Sequence, residues 1–556
     1  MKKSFIILLL VFPAFIFGQT IPFNPTPDWE SNANGQRGTG LGIADINGDG
    51  WNDLVVANGN DMARQNLVVY YNNGDGTFPL EPSWESGDID YHGHLACGDI
   101  DNDGDIDVVV SVYLGPAGFG DPGYIKLYYN SGSQLETFPG YTSNPFYTFS
   151  CALADLNTDG LLDIVAACGE PYNSLYDHGR IFYNNLGGYS KTPSWMSSLA
   201  MGALDVDCGD FDMNGYTDVL FTCEETNNVI YLADGTGLID NNPDWQSADV
   251  DNYINSVDIG FMGSNYCPSA VMTGNDQLGG DGRIKLYDYY VKMPATSNSN
   301  WQSNPVGMGS GVLLSDITHD GNLDLIYGGW WLPIEILKGT GQYFEFDPSY
   351  SSTETSVVET ILISDLGREN IKTLQENFTV NLPKSFFYLE HQNVENIISI
   401  FINGSQIPLN QYSHIPGKNW IAFADIFNVG DQLTINYEYT YDGDLVISNW
   451  DTNKGNFIYY NQTGVGINEN SNISGFEMEV LHNPSDGNFA LKLFAEKSTI
   501  AVIKVMDLSG RLVMKKSIEI ISGSNNYDIN LSVKPGIYTL FLEANRNSTF
   551  SKIVIK

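Results

Sequence analysis

Basic residues are scarce in this chain. Lys and Arg number 26 against 67 Asp and Glu, for a formal net charge of −41. Phosphate binding needs a basic face, so a nucleic acid is excluded as the natural partner. No G-x-S-x-G, HExxH or Walker loop occurs, which removes the commonest nucleophile, zinc-hydrolase and nucleotide readings. Carboxylates are so abundant that no hydrolytic pair stands out. Beyond the N-terminus there is no run of about 18 apolar residues to form a membrane-spanning helix. Cysteines are few: Cys97, Cys151, Cys168, Cys208, Cys223 and Cys267. Their spacing does not suit zinc. Cys151 with Cys168, and Cys208 with Cys223, could face across hairpins as disulfides, or all six could be buried small hydrophobes.

What is present is enough to fold. The chain is 42% hydrophobic and 13% aromatic, unlike a disordered acidic chain. At 556 residues it must be several domains or a repeat array. Residues 1–18 read as a signal peptide: Lys2 and Lys3, the apolar run Phe5–Phe17, and Gly18 before the cut. No Cys follows at the cut, which argues against a lipid anchor.

Five stretches share one form: Asp45–Asp53 (DINGDGWND), Asp99–Asp107 (DIDNDGDID), Asp155–Asp163 (DLNTDGLLD), Asp210–Asp218 (DFDMNGYTD) and Asp316–Asp324 (DITHDGNLD). Oxygen-bearing side chains at positions 1, 3, 5 and 9 converge on one point, and Gly at 6 allows the sharp turn. The spacing suits a hard cation. An EF-hand is excluded: position 12 holds Val56, Val110, Ala166, Phe221 or Tyr327 instead of Glu. Position 9 must close the cage. The expected ligands are Asp45, Asn47, Asp49 and Asp53; Asp99, Asp101, Asp103 and Asp107; Asp155, Asn157, Asp159 and Asp163; Asp210, Asp212, Asn214 and Asp218; and Asp316, Thr318, Asp320 and Asp324. The second set, all Asp, should bind most tightly; the last, with Thr318, most weakly. A solvated Asp-rich turn is the plain alternative.

The loops recur at steps of roughly 55 residues, with a double step before the last. Degenerate units are expected around Asp258 (SVDIGF) and Asp365 (ILISDLGREN), making seven. Apolar strands such as DLVVAN and NLVVYYNN follow each loop, and Trp29, Trp84, Trp195, Trp245 and Trp301 recur as inter-repeat packing residues. Four short strands per unit predict a seven-bladed β-propeller over 19–465, closed by Trp29 in the outer strand of blade seven. Residues 372–441 interrupt that blade as a small β insert. A linker is expected at 466–478, and a β-sandwich at 479–556. The fold class is thus all-β.

The repeated D-x-[DN]-x-[DN]-G-x-x-D loop between short strands resembles the FG-GAP/VCBS family, which includes integrin α-chain propellers. The resemblance implies calcium in each intact loop, about five structural ions, and none at Asp258 or Asp365. LHNPSDGNFALKL, VMDLSGRLV, PGIYTLFL and SKIVIK resemble the sorting domain of type IX secretion substrates. That implies handling by the type IX machinery, passage across the outer membrane, and release or attachment at the surface.

The face opposite the acidic loops offers candidate ligand residues: Trp330, Trp331, Tyr172, Tyr176 and His94. Aromatics there could stack on sugar rings or merely cover strand ends. His92 and His94 form a weak transition-metal pattern. Two functions follow. One is a non-catalytic module binding glycan or protein. The other is a secreted polysaccharide lyase, which needs a base and a group to neutralise a uronate. With so few Lys and Arg, binding is favoured.

Overall fold

The computed structural model describes residues 21–463, save 186–187, 251–253, 289–296 and 369, and most of 476–555. The expected signal peptide lies outside the described residues. The chain is all-β, with 3-10 turns as its helical elements among the described residues. No helix there is long and apolar enough to cross a membrane. It divides into two compact units, 1–461 and 462–556.

In the first unit the repeats form small antiparallel sheets. Gly38–Ala44, Asp53–Asn58, Leu67–Tyr70 and Trp84–Glu85 make the first, in that order. Four more four-stranded sheets follow in sequence, starting at Tyr91, Thr148, Ala203 and Val257. The last two groups fuse into one eight-stranded sheet, because Trp330 and Leu332 pair with Val357 and Ser356. Its outer edge is Trp29–Glu30, paired with Phe457 and Ile458.

The innermost strands crowd one another: Gly38–Ala44 packs beside Tyr91–Gly98 on one side and Ser356–Ser364 on the other. This explains their Gly, Ala, Ser and Cys content. A Cβ added to Gly93 would lie 2.0 Å from the Phe149 carbonyl oxygen of the next sheet. The second strands are covered on both faces and read as unbroken apolar runs: Asp107–Leu114 is buried throughout. The cores lie between neighbouring sheets. Leu54, Val56 and Tyr70 of the first sheet share one with Val446 and Ile458 of the last.

The Trp residues join neighbours edge-on. Trp29 meets Tyr70 at 5.7 Å, Trp84 meets Tyr128 at 6.3 Å, Trp195 meets Tyr231 at 5.1 Å, and Trp245 meets Tyr287 at 5.5 Å. Each pair links an outer strand to the third strand of the next sheet. The cysteines are buried free thiols. Cys151 stands opposite Ala166 and Cys168 opposite Thr148; Cys208 opposes Val219 and Cys223 opposes Ala203. The strand register thus keeps both suggested pairs apart.

Between Ile371 and Thr440 the chain forms two further sheets, Ile371–Thr379 with Gln432–Thr440 and Val394–Ile402, and Lys384–Tyr388 with Trp420–Phe427. They enclose a core including Phe387, Ile421, Leu433 and Ile435. This insert rests on the acidic loops. Ser385 and Phe386 donate to the Gly215 carbonyl at 3.1 and 3.0 Å. Lys418 bonds both carboxylate oxygens of Asp207, at 3.0 and 2.9 Å.

In the second unit, Phe476–Leu481, Asn488–Ala495 and Gly523–Asn530 form one sheet. A second is built from Leu512–Ile520, Thr499–Asp507, Gly536–Ala544 and Asn547–Ile555. They share a core of Leu491, Leu493, Ile503, Val505 and Leu540. The strand from Phe476 begins inside the stretch expected as a linker. Of that stretch, 466–475 lie outside the described residues.

Candidate functional site

Each acidic loop is wired by the same backbone bonds. The position-1 carboxylate accepts from the amides of positions 5 and 6: Asp45 from Asp49 and Gly50 at 3.1 and 2.8 Å, and Asp210 from Asn214 and Gly215 at 2.9 and 2.8 Å. The position-9 carboxylate accepts from position 2 with one oxygen. With the other it accepts from the second residue after the third strand. Asp107 does so from Ile100 at 3.0 Å and Asn130 at 2.7 Å. The fifth loop differs: Asp324 accepts from Thr318, at position 3. Gly50, Gly104, Gly160, Gly215 and Gly321 take φ between 79° and 97°, where a side chain is strained.

These bonds aim the side chains inward. Asp99, Asp101 and Asp107 bring carboxylate oxygens within 4.8 Å of one another, as do Asp210, Asp212 and Asp218. Both groups could hold a metal ion. The other loops carry Asn47, Asn157 or Thr318 at position 3. Burial, with like-charged neighbours adding to it, pushes Asp53, Asp107, Asp155 and Asp210 up to about 7 despite their amide bonds. Asp163 and Asp218 lie well above the usual carboxylate range for the same reason. Gathered, desolvated carboxylates of this kind fit a hard divalent cation.

Strand register places the two degenerate units. In the fifth sheet Gly260 pairs with Ser269 as Gly209 pairs with Asp218. Phe261 and Ser269 therefore hold loop positions 1 and 9. Asp258 lies three residues upstream, accepting from Leu314 N at 2.7 Å. In the seventh unit, Asp365 does hold position 1. Its position-9 partner is Asp444, which accepts from Leu366 at 3.1 Å and Asn461 at 2.7 Å. The insert is spliced within that loop. The signal was legible: DLVIS at 444 repeats DLVVA at 53.

At the other end of the second strands lies an aromatic pocket of about 220 Å³, whose lining includes Tyr113, Tyr172, Trp330, Trp331, Trp450 and Glu359. Trp330 is buried and Trp331 is 59% exposed. Trp331 also takes φ 59°, an unusual conformation for a bulky residue. Glu359 Oε1 accepts both the Trp330 indole N–H, at 3.0 Å, and that of Trp450. Its Oε2 accepts from Ser310 at 2.6 Å.

Of the sequence candidates, Trp330, Trp331 and Tyr172 meet here. Tyr176 does not line the pocket; its hydroxyl donates to Glu225 at 2.8 Å. His94 is deep between the inner strands, with Nδ1 3.3 Å from Asp205. His92 bonds the Asn58 carbonyl, and burial lowers it to about 4. The two histidines thus serve different partners. Glu359 and Trp450 escaped sequence reasoning. A Glu inside the apolar strand SVVETILIS was the available signal.

Residues 45–110 and 155–221 match the FG-GAP-like repeat, and 480–556 match a secretion system C-terminal sorting domain. The chain carries FG-GAP-like repeats and a type IX sorting tail. The sorting tail marks this FG-GAP repeat protein for export by the type IX system to the cell surface or extracellular space. No curated protein matches it. Among solved structures, it is similar to the V. cholerae biofilm matrix protein Bap1. The identity is 14% over 96% of this chain and 90% of that one, with a TM-score of 0.31. A score that low carries nothing over to this chain.

Proposed function

We propose that this is a calcium-stabilised, seven-bladed propeller that binds glycan at the cell surface or outside the cell, without catalysis. The edge pairing of Trp29–Glu30 with Phe457–Tyr459, and the core shared by the first and last sheets, support ring closure. The five intact loops are its calcium sites, and their distance from the pocket supports a structural role. Each loop begins the second strand at position 9, whereas Tyr113 and Trp330 stand near its far end.

The observation that carries the binding reading is Trp331, held exposed at the rim of a concave aromatic pocket. Aromatic faces stack on sugar rings, and an exposed Trp in a strained conformation is the kind of feature kept for a ligand. No Lys, Arg or His belongs to the pocket lining, which disfavours a lyase that must neutralise a uronate.

The test is retention of the purified protein, with calcium, on a panel of immobilised polysaccharides, with ultraviolet absorbance followed for new unsaturated ends. Retention without absorbance, lost in Trp331→Ala, is expected. New absorbance would make the protein a lyase, and no retention anywhere would remove the glycan reading.

A further inference from the structure

Resting on the glycan reading of the Trp331 pocket, the geometry points to a narrower ligand: we propose that the pocket selects a cationic amino sugar, gripping its protonated amine. Its walls are π faces, Tyr113, Tyr172, Trp330 and Trp331, and it carries two carboxylates, Asp61 and Glu359, with no basic side chain. An ammonium group is drawn to both. Glu359 is fixed by three donors at the pocket's buried side. Asp61 is different: among the described residues, no other side chain donates a hydrogen bond to its carboxylate. Burial raises its pKa and the negative charge of Glu170 adds to this, while its own amide and the Arg37 charge offset only part. Glu170 itself stands behind Tyr113, whose hydroxyl donates to it at 3.3 Å.

This charge pattern repels uronates and sulfated sugars. A neutral sugar would leave Asp61 desolvated, with only its own amide and the charge of Arg37 to balance it. A lysine side chain would satisfy Asp61 but offers no ring to the exposed face of Trp331. An amino sugar supplies the ring and the cation together.

The full protein is titrated by tryptophan fluorescence with a glucosamine trisaccharide and with its N-acetylated counterpart, at about pH 6, where the amine is protonated, and at physiological salt. The amine form should bind roughly tenfold tighter. Asp61→Asn should erase that preference, and Trp331→Ala should weaken both ligands. Equal affinity for the two forms overturns the proposal. So does a preference surviving in Asp61→Asn, which would mean general attraction to an acidic protein. A trilysine peptide binding as tightly as the amino sugar overturns the sugar assignment. If both trisaccharides bind equally and both are lost in Trp331→Ala, only the amine selectivity falls. If neither binds, the glycan reading falls with it.

Discussion

Glu224 is fully buried, and among the described residues neither of its carboxylate oxygens has a hydrogen-bond partner. Burial first, then the nearby Glu225 and Glu170, pushes it from 4.5 to about 8. The folded chain therefore keeps a proton that the unfolded chain releases above its ordinary carboxyl range. Stability falls as pH rises between those values and levels off above them. Glu224→Gln should flatten this slope and raise stability by about 1–3 kcal/mol at about pH 9, read from melts across pH. A variant that keeps the wild-type slope would assign it elsewhere. Asp444 is the opposite case, with its carboxylate fully used by Leu366 and Asn461. Asp444→Ala strands two amides and should cost about 2–4 kcal/mol in denaturant unfolding, although no intact acidic loop is touched.

Among the elements, the outer strands do more than end a sheet. Trp245 is buried and stands edge-on to Tyr287 of the following sheet. Trp245→Ala should cost about 3–5 kcal/mol. A double-mutant cycle with Tyr287→Ala should return a coupling of about 0.5–1.5 kcal/mol; zero coupling would reduce the pair to simple burial. The spacing of these Trp residues was legible, because a packing role repeated in five of the seven outer strands leaves a period. The intact loops were legible for the same reason. In the fifth unit only strand register shows that Phe261, not Asp258, holds loop position 1. Asp444 was missed because the insert removes it from its loop in sequence while the hydrogen bonds return it in space. The pocket was half legible. Trp330, Trp331 and Tyr172 lie in conspicuous aromatic stretches, but Glu359 is a lone carboxylate inside an apolar strand and Asp61 comes from another repeat.

For the whole molecule, the acidic loops and the insert form one stack. Asn52 in the first loop bonds Glu395 at 2.8 Å, and Asp210 N in the fourth bonds Tyr388 at 2.8 Å. Ions in the loops should therefore hold the insert as well as the sheets. Chelation should lower the melting temperature by roughly 10 °C or more, with hydrogen exchange rising first at Ser385, Phe386 and Asp210. An unchanged melt in a sample shown to be metal-free would refute a structural role for the ions.

The joining of Trp29–Glu30 to the last sheet also sets an order of events in time. Asp28 accepts from the Tyr460 amide, 432 residues away, so the earliest strand finds its partner only after nearly the whole first unit exists. Contacts between such distant residues form late and slowly. Until then the nascent chain presents two unfinished borders, one at each end, each able to recruit a strand from another molecule. A chain cut short before residue 457 would leave both borders open for good, and its fate would be clumping rather than mere loss of a sheet.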